Sequence, residues 1–164
     1  MRRTYRVGLI GVAHPHIWGI LKSLRESDLG ELSAASFPEP SSQSDKDAIE
    51  RAHGQVNLYG DYREMLGKES LDLVFNYTDH ILRAPVTELA ASKGLHVMVE
   101  KPMAYNLADA ERMLEASRKN NVKLMVNWPP MWSPVYHSVH QMVENGELGS
   151  IFHIRTRAGH NACE

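Results

Sequence analysis

Apolar residues along the chain fall into short runs that alternate with stripes at helical spacing. Tyr5 to Ile10 is a compact run that predicts a buried strand. Ile17, Ile20, Leu21 and Leu24 then mark one face of a helix over residues 17–25. A second strand is predicted over Leu32–Phe37, closed by the polar loop "PEPSSQS". A helix over Asp45–His53 stops at Gly54. Val56–Tyr59 reads as a third strand, and Asp61 caps a short helix in "DYREML". "LDLVFNYT", residues 71–78, is almost continuously apolar, as a central parallel strand covered on both faces must be.

The second half keeps the alternation. A helix over Ala84–Lys93 ends at Gly94, and "LHVMVE" follows as a strand. Asn106 caps a helix over Leu107–Asn120, with Ala110, Met113, Leu114 and Ser117 expected to face inward. "VKLMVNW" is a sixth strand, and the loop "PPMWSP" leads to a helix over Val135–Asn145. After the turn "ELGS", "IFHIRTRAG" alternates apolar and polar residues, which predicts a half-exposed strand. Strands and helices joined by short connections predict an α/β fold with a doubly wound, mostly parallel sheet. The last strand breaks the pattern and predicts the start of a second, antiparallel domain. The expected division is 1–128 for the doubly wound domain and 129–164 for a connecting helix and the beginning of a truncated α+β domain.

Composition narrows the class without naming a chemistry. With 164 residues, 43% hydrophobic and 23% charged, the chain suits one ordinary globular domain and slightly more. A net charge of −2 gives no reason to expect nucleic acid or an anionic membrane as partner. The one cysteine, Cys163, excludes an intrachain disulfide and CxxC chemistry, and a reducing cytoplasm is the expected location. The basic start Met1-Arg2-Arg3 precedes an apolar run that is short, contains two glycines and ends in His-Pro-His, which argues against a secretory signal. No segment is long and apolar enough to cross a bilayer.

The turn after the first strand admits three readings. Gly11-x-Ala13-x-x-His16 stands where a dinucleotide fingerprint has Gly-x-Gly-x-x-Gly or Ala. Gly11 allows the tight turn, Ala13 is a mild departure and His16 a large one. A structural βα turn without a ligand fits about as well. His14 and His16, two apart on an extended segment, point the same way and suit one metal ion. Further ligands are then needed at later strand ends, where Asp79 and His80 are available, and a metal-dependent hydrolase barrel needs roughly 250 residues.

"VEKPMAYN", residues 99–106, is more informative. A Glu-Lys pair at the carboxyl end of a strand sits where open α/β sheets bind ligands. Lys101 can hold a substrate oxygen or transfer a proton there. A solvated salt bridge at a strand end is the plainer alternative.

These blocks together resemble the Gfo/Idh/MocA family of NAD(P)-dependent oxidoreductases, over nearly the whole chain. The resemblance runs through "VGLIGVA", "LYGDYREML", "LDLVFNYTDH", "GLHVMVEKPMAYNLADAERMLEASRKNNVKLMVNW" and "ENGELGSIFHIRTR". It implies a Rossmann-like domain with NAD or NADP as cofactor, and Lys101 as the catalytic residue beside nicotinamide and substrate. The cofactor contacts it implies or admits are Gly11, Ala13, His14, His16, Ser36, Thr78, Glu100, Lys101 and Asn127, and no metal ligand is assigned. The second strand lacks the acid that the family commonly places against a ribose hydroxyl. Ser36 or Ser41 would then accept a 2′-phosphate, or Glu39 would act from further along. The resemblance also implies a second domain, almost entirely missing here, that supplies an Asp and a His to the catalytic group.

The expected parent is therefore an NAD(P)-dependent dehydrogenase or reductase acting on a sugar, inositol or related polyol. It would be a homo-oligomer at full length, and this chain alone would be inactive. The alternatives are a Rossmann-like binding module without turnover and, further off, a metal-dependent hydrolase using His14 and His16.

Overall fold

Six of the predicted strands assemble into one all-parallel sheet. A computed structural model describes residues 3–38, 43–157 and 159; Glu39, Ser41 and Cys163 lie outside them. The strands are β1 (Tyr5–Ile10), β2 (Gly30–Ser36), β3 (Asn57–Tyr59), β4 (Leu73–Asn76), β5 (His96–Glu100) and β6 (Leu124–Asn127). Their order is β3-β2-β1-β4-β5-β6, so the direction of winding reverses between β1 and β4. The register sets Ile10 beside Ser36 and Asn76, Asn76 beside Val99, and Glu100 beside Asn127. The chemistry-bearing residues thus end up on one edge, where the strands' carboxyl ends meet.

Side chains alternate across each strand, and the helices cover both faces. On one face Val7, Leu9 and Phe75 pack with Ile17 and Leu21 of α1 (His16–Arg25) and Ile49 of α2 (Gln43–His53). On the other, Ile10 and Val74 pack with Met65 and Leu66 of α3 (Tyr62–Lys68) and Val86 and Ala90 of α4 (His80–Ser92). A third cluster joins Ala84 and Val99 to Met113 of α5 (Leu107–Lys119). The expected caps hold: Asp61 accepts from the Arg63 amide and Asn106 from the Asp109 amide, both at 2.8 Å.

Three expectations are corrected. Helix α4 starts at His80, not Ala84, and passes through Pro85. Proline removes one helical hydrogen bond, but burial of Arg83, Ala84, Val86 and Thr87 on that side offsets the loss. Leu114 faces outward and is 40% exposed, while Met113 and Ser117 carry the buried face of α5. Residues 151–157 form no strand. Alternation specifies which face of a strand would be buried, but a ladder needs a neighbour, and Phe152 is 98% exposed.

The chain divides after Asn127 into two compact units. The second holds a 3₁₀ turn (Pro129–Trp132) and α6 (Pro134–Glu144), and none of its described residues is buried. Among the described residues, no helix is long and apolar enough to cross a membrane.

Candidate active site

The turn after β1 is built against the end of β4. Gly11 has φ +78°, its amide donates to the Ser36 carbonyl at 2.9 Å, and the Ala13 amide donates to the Tyr77 carbonyl at 3.0 Å. A Cβ at Gly11 would lie 2.8 Å from Thr78 Cα. Glycine is required there twice over, for conformation and for close approach. Helix α1 then begins at His16 with no side-chain cap and no acid in its first turn.

His16 does not wedge between helix and sheet. Its ring turns toward the end of β5, placing Nδ1 2.8 Å from Glu100 Oε1, and fully buried Ile17 makes the helix–sheet contact instead. His14 Nδ1 lies 3.8 Å from the same oxygen, and the two imidazole centroids are 4.1 Å apart. The His16 amide donates to His14 Nδ1 at 3.2 Å, and Lys101 Nζ lies 3.5 Å from His14 Nε2. Burial holds the His14 imidazole below its ordinary pKa; His16, Lys101 and Arg83 act in the same direction and Glu100 against it.

Glu100 is fully buried. The Asn127 amide reaches both Glu100 Oε2, at 2.6 Å, and the Tyr77 hydroxyl, at 2.8 Å. Burial pushes the Tyr77 phenol far above its usual range, and Glu100 adds to the shift, so the hydroxyl remains a proton donor to the carboxylate. Behind this layer the Thr78 hydroxyl donates to Asn76 Oδ1 at 2.7 Å. Asn76 in turn donates to the Arg83 carbonyl at 3.0 Å. Arg83, 2% exposed, donates through Nε to the Thr78 carbonyl at 3.1 Å and through Nη1 to the Pro102 carbonyl.

Gly11, Ala13, His14, His16, Thr78, Glu100, Lys101 and Asn127 all lie on the β1, β4, β5 and β6 ends of the sheet edge. Their accessibility differs. His14 and His16 are partly exposed and Lys101 is half-buried. Thr78, Glu100 and Asn127 are enclosed, with their side chains committed to neighbours. Ser36 is also fully buried, and its hydroxyl has no hydrogen-bond partner among the described residues. Sequence reasoning missed Tyr77, Asn76 and Arg83. The first two end an otherwise apolar strand and Arg83 interrupts the apolar face of α4, so unexplained polarity in buried elements was the available signal.

A parallel sheet in this order, with a glycine turn at the reversal of winding and a Glu-Lys pair at the end of β5, defines a dinucleotide-binding α/β domain. Residues 5–128 match the family model described as "Oxidoreductase family, NAD-binding Rossmann fold" (GFO_IDH_MocA), and the chain belongs to that family. It is 35% identical over 105 residues to D-apiose dehydrogenase of Paraburkholderia graminis, which covers 64% of this chain and 28% of that enzyme. It is 30% identical over 148 residues to dTDP-3,4-didehydro-2,6-dideoxy-alpha-D-glucose 3-reductase of Actinomadura kijaniata, covering 89% and 43%. Among solved structures, the 3-ketoreductase KijD10 of Actinomadura kijaniata, in complex with TDP-benzene and NADP, superposes with a TM-score of 0.73 at 26% identity. That likeness covers 88% of this chain and 44% of that one. The chain thus spans less than half the length of these relatives.

Proposed function

We propose that residues 1–128 are the dinucleotide-binding module of an NAD(P)-dependent oxidoreductase acting on a sugar, inositol or related polyol. Residues 129–164 lead into its second domain. The observation that carries this reading is the convergence of the Gly11 turn, the α1 N-terminus and Lys101 on one sheet edge, where the winding reverses. The donor set suits a pyrophosphate: the helix start has no acid in its first turn, no side-chain cap, and two imidazoles and an ammonium beside it. His16 departs from the small-residue fingerprint without blocking the turn, because its ring is drawn aside to Glu100.

Bound nicotinamide supplies the hydride chemistry. Lys101 holds the substrate oxygen and moves its proton, with Nζ beside His14 at the end of β5. Glu100 and Asn127, both enclosed, act as positioning residues that fix His16 and through it the turn. The sugar-nucleotide and sugar enzymes among the relatives support the substrate class, and the NADP in KijD10 supports the cofactor class.

Two measurements test this. A thermal-melting shift of this chain is expected with at least one of NAD⁺, NADH, NADP⁺ and NADPH, and no response to any of the four overturns cofactor binding. In the full-length protein, Lys101→Ala should retain nucleotide affinity while turnover falls by about 10²- to 10⁴-fold, the usual contribution of a general acid–base group. Undiminished turnover removes Lys101 from the chemistry.

A further inference from the structure

The metal alternative raised by His14 and His16 needed further ligands, for which the sequence offered Asp79 and His80. The fold supplies one from β5, neither Asp79 nor His80 but Glu100, 84 residues from His16. We propose that His14, His16 and Glu100 form a site for a borderline transition-metal dication, zinc first, with a fourth position open to water or a ligand oxygen.

Geometry is the first ground. Zinc bonds of about 2.0–2.1 Å in tetrahedral array place ligand atoms roughly 3.3 Å apart. The separations from Glu100 Oε1 are 2.8 Å to His16 Nδ1 and 3.8 Å to His14 Nδ1, on either side of that value. One ligand atom from each of the three residues falls within 4.8 Å of the others. Rotation of the two partly exposed imidazoles brings the three atoms to a common ion.

Charge is the second ground. Glu100 is fully buried, and both imidazoles lie within ion-pair distance of its Oε1. A buried carboxylate calls for a cation, and neutral donors meet only part of that demand. Asn127 holds Oε2 from behind, with Oε1 toward the histidines, which is how outer-shell groups orient a ligating carboxylate. Two imidazoles favour zinc, cobalt or nickel over magnesium or calcium. The partly exposed rings give the ion a way in.

Two contacts change on binding. The His16 amide gives up His14 Nδ1, a 3.2 Å contact at the long end of the hydrogen-bond range, and the ion replaces the proton shared by His16 Nδ1 and Glu100 Oε1 at 2.8 Å.

The chelator-treated chain, titrated with ZnCl₂ by calorimetry, should bind one ion at micromolar affinity or better. Cobalt in place of zinc should give the intense visible absorption of a four-coordinate site. Glu100→Gln, His16→Ala and His14→Ala should each weaken zinc binding by at least about tenfold, the scale set by disrupting a metal's supporting groups. A His137→Ala, His140→Ala double variant on the exposed helix α6 should bind as the parent does. Circular dichroism checks that each variant is folded; if Glu100→Gln unfolds, His14→Ala, on a partly exposed side chain, decides the matter. Zinc binding weaker than millimolar, an octahedral cobalt spectrum, or undiminished affinity in the folded His14 and His16 variants overturns the site. The titrations contain no nucleotide, so their outcome is separate from that of cofactor binding.

Discussion

Gly11 and His16 show how far a single residue can be read. At Gly11 the positive φ and the wall formed by Thr78 leave no room for a side chain. Gly11→Ala should therefore cost about 1–3 kcal/mol of stability, the range for a non-glycine residue forced into a left-handed conformation. Urea denaturation of the two chains measures it, and a variant as stable as the parent would mean that the turn relaxes. Glycine at this position was legible in sequence because a tight turn after an apolar run demands it. His16 was not, since its partner is 84 residues away and nothing local distinguishes a ring that lines a phosphate turn from one that meets a buried carboxylate. The place of Lys101 at the carboxyl end of a strand was legible. Its nearness to His14 required the strand order.

At the scale of elements, periodicity located every strand of the sheet and every α-helix, but it fixed helix faces less sharply. Leu107 to Lys119 carries apolar residues at adjacent positions, and pattern alone cannot say which of Met113 and Leu114 points inward. The fold resolves it: Met113 is fully buried with Val99 and Ala84, and Leu114 is 40% exposed. Met113→Ala should destabilise by about 2–5 kcal/mol, as buried truncations do. Leu114→Ala should cost less than about 1 kcal/mol, near the surface range. Chemical denaturation of both variants checks the difference, and equal losses would mean that α5 is rotated from the orientation described. The start of α4 was placed late for a related reason: burial of the α4 face carries the helix from His80 through Pro85.

At the scale of the molecule, the site exists because the winding direction reverses. Alternating strands and helices implied a parallel sheet, yet only the order β3-β2-β1-β4-β5-β6 shows that the β1 turn and the β5 Glu-Lys pair share an edge. The same topology says where stability resides. All three buried apolar clusters draw on residues up to Val126, and no described residue after Asn127 is buried. A chain ended at Trp128 should therefore keep the Asn127 bonds to Glu100 and Tyr77 and fold cooperatively by itself. Its denaturation free energy should fall within about 1 kcal/mol of the parent, since what it loses is exposed surface, and its zinc and nucleotide responses should be unchanged. The apolar side chains of residues 135–154, with Phe152 and Ile154 at 98% and 74% exposure, would go with the deleted segment, so the shorter chain should also aggregate less. Denaturation curves and light scattering on the two chains decide it: a truncated chain that is insoluble or markedly less stable would assign part of the core to the segment after Trp128.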